Sequence, residues 1–300
     1  MHDQREIIRR GAGVFLLLQV MLIAGLASQA VAGTGRDHGL LWEIRGDGTT
    51  SSYLFGTIHS EDPDVLRLAA PVRQAFDGAD SVILEVLMDM EAMVYSSSAM
   101  LLLDGRMLSD IIGRTLFEKT ASAVSTRGIP EVVLERMKPW AAATTLSVPL
   151  PETGQVLDLK LFQEAEQAGK QLHGLETIRE QFDVFDTMPE RDQVVLLKDT
   201  VDNLDTIAEM NADLLSAWKR RDLAAMMAIS DASMRTGDQR MAREFEQRLI
   251  TDRNRLMADR VEPYLQQGSA FIAVGALHLP GDNGLLGLLE SRGYTIRKVY

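Results

Sequence analysis

Two apolar segments near opposite ends of the chain finish in the same way. Tyr53-Leu54-Phe55-Gly56-Thr57-Ile58-His59 and Ile272-Ala273-Val274-Gly275-Ala276-Leu277-His278 are each a run of strand-forming residues followed by Gly-x-x-His. In an open α/β sheet ligands sit beyond the carboxyl ends of the strands, so each spacer delivers an imidazole to that edge. The glycine permits the close backbone approach or positive φ that such an exit demands. An imidazole placed there is available as a metal ligand or an acid/base group. The competing reading is that both histidines cap their strands through backbone hydrogen bonds. Of the five histidines, His2 and His38 lie near the start of the chain and His173 lies inside a strand, where packing is the simpler role.

The rest of the sequence supplies a sheet around these two strands. Leu40 to Arg45 and Ser52 to Ile58 flank Gly46-Asp47-Gly48, a hairpin signal. Ser81 to Val86 is a short apolar run suited to a buried strand. Lys170 to Glu176, Ser269 to Ala276 and Tyr294 to Tyr300 complete the set. Helical blocks are expected over Val65 to Phe76, Leu108 to Ser125, Pro130 to Ser147, Leu157 to Ala168 and a long stretch from Pro189 to Gln267. Gly237 marks a break within the last, and Met226, Met227 and Met234 read as core filling. Strands at both ends and helices in the middle specify an α/β fold. Its central, mostly parallel sheet is built from two related halves, with a large helical insertion at about 101–262.

Composition narrows the class. Arg5, Arg9 and Arg10 precede the apolar run Val14 to Leu26, and Ala30 and Ala32 occupy the −3 and −1 places of a cleavage site, so residues 1–32 read as a secretory signal. Cleavage after Ala30, with Ser28 at −3, is the alternative site, and an uncleaved N-terminal anchor is the other reading. The run, interrupted by Gln19, falls short of the ~20 apolar residues of a membrane-spanning helix. Export implies a periplasmic protein, with residues 33–300 forming one α/β domain large enough to bury its own core. There is no cysteine, which excludes disulfides, thiolate metal ligands and a cysteine nucleophile. The net charge of −12 argues against nucleic acid, whose phosphates call for clustered Lys and Arg.

Several polar residues stand where chemistry is expected. Glu85 sits among Val82, Ile83, Leu84 and Val86, and a carboxylate buried there needs a cation, a histidine or a metal. On an edge strand it would instead face water. Glu176 closes its strand at the same edge. Arg253 and Asn254 lie on the helix that leads into the strand ending at His278. An arginine there can hold a carboxylate or an oxyanion, although an isolated one is more often solvated.

Taken in order, Leu41-Trp42-Glu43-Ile44, Gly56-Thr57-Ile58-His59, Ile83-Leu84-Glu85, Gly174-Leu175-Glu176-Thr177 with Gln181, Arg253-Asn254, and Val274 to Leu279 with Gly281 and Gly284 resemble the TraB/GumN family. The resemblance runs from about Leu40 to Tyr300. It implies an α/β fold related to the Tiki proteases and more distantly to erythromycin esterases and ChaN-like haem-binding proteins. It also implies a metal-dependent site at His59, His278 and Glu85. Asp252 stands where the family usually has a glutamate before the Arg-Asn pair.

Two function classes follow. The first is a hydrolase of peptide or other small acyl substrates using Mn, Co, Zn or Fe on nitrogen and oxygen ligands, with Glu176 moving the proton. The chain has no His-Glu-x-x-His helix, so it is not a zincin, and a metal-free variant would use one histidine as general base. The second is a binding protein that captures a peptide or a haem-like ligand without turnover.

Overall fold

The computed structural model describes residues 35–234 and 239–300. The expected signal segment and the break at Gly237 lie outside the described residues. The chain divides into two compact units, one containing Asp89–Gly154 and Ile178–Ala212, the other containing the described residues up to Met88, Gln155–Thr177 and Asp213–Tyr300.

The second unit carries a six-stranded sheet. Its strands are β1 (Leu41–Arg45), β2 (Ser52–Thr57), β3 (Ser81–Val86), β4 (Gln171–Glu176), β5 (Ala270–Gly275) and β6 (Thr295–Lys298). The order across the sheet is β4-β3-β5-β2-β1-β6. The pairs β4-β3, β3-β5 and β5-β2 are parallel, while β1 pairs antiparallel with both β2 and β6. The fold is therefore α/β with a mostly parallel sheet.

Strand β5 is buried at every position, as a central parallel strand covered on both faces must be. Phe271 from it meets Phe55 of β2 and Phe76 of the helix Ala70–Gly78, with ring centroids 5.9 and 5.4 Å apart. These contacts hold the two Gly-x-x-His strands side by side, with Thr57 opposite Gly275 in parallel register. The likeness of the two strands is local, since β2 has the antiparallel β1 as its other neighbour and β5 has the parallel β3. From β2 the chain goes on to β3 on one side, and from β5 it goes on to β6 on the other. That is a topological switch point, the place where open α/β sheets bind ligands.

The first unit is helical among its described residues, with Met90–Ala99, Arg114–Ser125, Pro139–Ser147, Ile178–Asp186 and Glu190–Asp202 as its longer elements. Trp140 stacks on Phe185 at 5.6 Å, and its indole N–H donates to Asp186, which also pairs with Lys138.

Helices occur in the expected regions but are more finely divided. Leu108 to Ser125 is cut at Gly113, whose φ is 77°. Pro130 to Ser147 restarts at Pro139, which has no N–H to continue the previous turn. The stretch from Pro189 to Gln267 breaks at Asn203 and at Arg221, which has φ 59°, and passes without a break through a π-helical turn, Gln247–Thr251, into the helix Asp252–Gln267. Met90–Ala99, Ile178–Asp186 and Leu285–Ser291 are helices that the periodicity did not announce.

Candidate functional site

All six residues singled out in the sequence belong to the sheet-bearing unit. Five of them form one connected network. Arg253 is buried, and it donates from Nε to Oε1 of Glu176 at 2.9 Å and from Nη2 to Oε2 at 2.6 Å. The same Nη2 donates to Oε2 of Glu85 at 3.1 Å, and Nη1 reaches the Leu249 carbonyl at 3.3 Å. Burial disfavours the guanidinium charge, but Glu176 and Glu85 outweigh it and hold the Arg253 pKa above its ordinary value. One arginine thus ties the ends of β3 and β4 to the helix Asp252–Gln267.

Glu85 is half-buried, with its side chain 22% exposed. The expectation of full burial needs this correction. Its four flanking residues Val82, Ile83, Leu84 and Val86 are buried, but the carboxylate reaches past the strand end, where Oε1 accepts the Gly275 N–H at 2.6 Å. That oxygen lies 3.6 Å from Nε2 of His278.

His278 follows β5 through a single 3₁₀ turn, Ala276–His278, and is 1% exposed. Its Nδ1 lies 2.6 Å from Oδ1 of Asn254, whose Nδ2 donates to the Asn283 carbonyl at 2.8 Å. The Asn283 contact fixes which end of the Asn254 amide is the acceptor. Nδ1 of His278 must then be the N–H nitrogen, and Nε2 carries the lone pair. Burial first, and Arg253 second, push the His278 pKa down to about 3, so the ring is neutral at ordinary pH.

His59 is also buried and follows β2 by two residues. Its Nδ1 lies 3.5 Å from Oδ2 of Asp158, whose Oδ1 accepts the Thr57 hydroxyl at 2.8 Å. Its Nε2 is buried without a hydrogen-bond partner. A buried ring nitrogen in that state loses the free energy of an unmade hydrogen bond, which marks it for a ligand. Asp158 was not anticipated, because nothing in the first turn of the helix Leu157–Gln167 signals that it meets a histidine 99 residues earlier. His59 follows the strand next to the one that His278 follows.

The first glycine of the repeated motif has a physical reason that its sequence context left open. A Cβ on Gly56 would come within 2.7 Å of Leu279 Cδ1 and 3.1 Å of Ala276 Cα, so the close approach is to the second motif. Gly275 has φ −54°, and its part is played by its N–H on Glu85. His173, expected in the core, is half-buried against Tyr264 at 4.6 Å.

The donor chemistry suits a divalent transition metal. An imidazole lone pair and a carboxylate oxygen face one another at Glu85 and His278, and an unpartnered imidazole nitrogen lies at the neighbouring strand end. Among the described residues, no three His, Asp or Glu side chains are gathered closely enough to hold one ion together.

A family model described as the TraB/PrgY/gumN family matches residues 40–298. Among curated proteins, the chain is 27% identical to Metalloprotease TIKI2 of Danio rerio, over 86% of this chain and 60% of the relative. It is 25% identical to Metalloprotease TIKI1 of the same species, over 86% and 63%. Metalloprotease TIKI1 of Xenopus tropicalis is likewise 25% identical, with 86% of this chain and 61% of the relative aligned. The chain thus spans about 60% of the length of these relatives. No solved structure matches.

Proposed function

The chain belongs to the TraB/PrgY/gumN family, and from that premise we propose that it is a metal-dependent hydrolase of the cell envelope that cleaves a peptide or another small acyl substrate. The names of its relatives supply the reaction class. The observation that carries the reading is the approach of His278 Nε2 to Glu85 Oε1 at 3.6 Å while Nδ1 of the same ring is committed to Asn254. Two acceptors set against each other favour a cation between them.

His278 and Glu85 are the residues that would hold the ion, one of Mn, Co, Zn or Fe. His59 would join them as third ligand only on closing the gap between the two strand-end turns, since the three are not gathered about one point in this arrangement. Bound there, it would polarise a scissile carbonyl and make the attacking water more acidic. Asn254 keeps the lone pair of His278 on Nε2. Arg253 anchors the carboxylate of Glu85 from one side and the Gly275 N–H from the other. Both oxygens of Glu176 accept from Arg253, so we assign it the holding of that arginine rather than the movement of a proton.

The cell-envelope location rests on the basic, apolar, small-residue order of residues 1–32, with cleavage near Ala32 and release into the periplasm. Among the described residues, no helix is long and apolar enough to cross a membrane. Recovery of membrane-bound protein with an intact N-terminal sequence would favour the anchored form instead.

The test uses protein purified without an affinity tag. Elemental analysis should find stoichiometric transition metal after dialysis against Mn, Co or Zn, and mass spectrometry should find cuts in a peptide mixture. Both should disappear in His278→Ala. Protein that takes up no metal and cuts nothing, but develops a Soret band with haem, would establish the binding-protein reading.

A further inference from the structure

We propose that Asp158 is the positioning residue for His59, fixing the tautomer of that ring so that its buried Nε2 carries the lone pair. The argument begins at the end of β2. Thr57 is the last residue of that strand, and its hydroxyl donates to Oδ1 of Asp158 at 2.8 Å, which leaves Oδ2 turned towards Nδ1 of His59 at 3.5 Å. Asp158 itself is held in the first turn of the helix Leu157–Gln167, where the backbone N–H groups favour a negative charge. Leu157 and Leu161 are buried, so that helix cannot swing the carboxylate away.

A carboxylate accepts and never donates, so the ring nitrogen facing it is the one that carries the hydrogen. On this proposal the hydrogen sits on Nδ1 of His59, which faces Asp158 at 3.5 Å, an ion-pair separation rather than a closed hydrogen bond, and the lone pair is left on the buried, unpartnered Nε2. His278 shows the same construction with a different partner, since its Nδ1 is fixed by Asn254. The two imidazoles are thus presented alike, one backed by a neutral amide and the other by a charged carboxylate. Carboxylate backing makes an imidazole the more basic donor, and losing such a partner typically costs about 10- to 100-fold in metal affinity. The part of this inference that concerns metal rests on the function proposed above, whereas the tautomer does not.

The experiment reads both. Nitrogen NMR of the histidine rings at alkaline pH, without metal, should show His59 as the Nδ1–H tautomer in the wild type and shifted towards Nε2–H in Asp158→Ala. Thr57→Val, which frees the carboxylate without deleting it, should give a mixture, and it serves should the alanine variant fail to fold. Asp158→Asn keeps a carbonyl oxygen and should restore the Nδ1–H form. Titration with Zn should show affinity falling about 10- to 100-fold in Asp158→Ala and recovering partly in Asp158→Asn. An unchanged His59 tautomer in folded Asp158→Ala and in Thr57→Val would overturn the proposal and leave Asp158 a helix-terminus charge. The expected tautomers in a protein that binds no Zn in any form would uphold Asp158 and count against the metal-dependent hydrolase.

Discussion

Nε2 of His278 lies 3.6 Å from Oε1 of Glu85, although the two residues are separated by most of the chain. Parallel pairing of β3 with β5 sets up the approach, and the Gly275 N–H completes it by drawing the carboxylate towards the start of the second motif. The relationship is between strands, so it survives only while the sheet is intact.

If His59 and His278 serve one ion, their loss should be non-additive. His59→Ala or His278→Ala should each remove most of the bound metal, and the double variant should remove little more. Circular dichroism should show unchanged secondary structure in all three. Full metal content in both single variants, by elemental analysis, would end the shared-site reading.

Arg253 should matter for stability more than any other residue at the site. Removing one partner of a buried ion pair leaves the other uncompensated, at a cost of about 3–5 kcal/mol. Arg253→Ala removes the charge-assisted hydrogen bonds to both oxygens of Glu176, whose side chain is only 1% exposed, and should lower the urea midpoint accordingly. Arg253→Lys keeps the charge but loses the two-pronged geometry, and should fall in between. A loss below about 1 kcal/mol for the alanine variant, as for an exposed pair, would contradict the burial described.

Close approach at Gly56 gives a sharper test of the motif glycine. Gly56→Ala inserts a methyl against Leu279 and Ala276 and should cost about 1–3 kcal/mol, as overpacking does, while weakening metal binding through displacement of the turn before His278. Gly78→Ala meets open space and should stay within about 0.5 kcal/mol of wild type. Thermal melts and Zn titrations of the pair separate the two cases.

An acid-sensitive contribution lies at the far side of the sheet. Glu43 is buried in β1, and hydrogen bonds from Ser51 and Arg297 hold its carboxyl below the usual glutamate range, against the opposing effect of burial. A depressed carboxyl stabilises the fold fully above its unfolded value of ~4.3 and loses that contribution as pH falls through the folded value. Urea unfolding of wild type should weaken over that window. Glu43→Gln should be less stable at neutral pH and should show a flatter acid limb; parallel acid limbs would remove Glu43 from the account.

The strands were legible because a parallel sheet writes continuous apolar runs such as Val82 to Leu84 and Phe271 to Val274, and the turns after them write glycine. Glu85 and Arg253 could be suspected from a charge placed among apolar neighbours, but their pairing could not, because it depends on the order β4-β3-β5. Asp158 left no local trace at all. Helix ends were the least readable part. Arg221 takes a positive φ without being glycine, and the Gln247–Thr251 turn widens a helix whose sequence is ordinary.

The central pairing has a temporal side. Ser52 Oγ accepts the backbone N–H of Ala270 across a sequence separation of 218, at the start of the ladder that sets the two histidine turns side by side. Nothing made early in synthesis can bring these partners together, since β5 does not yet exist when β2 leaves the ribosome, and such long-range pairing is slow even in the finished chain. A nascent chain therefore carries His59 without its counterpart, and any activity of this sheet edge appears only once folding is nearly complete.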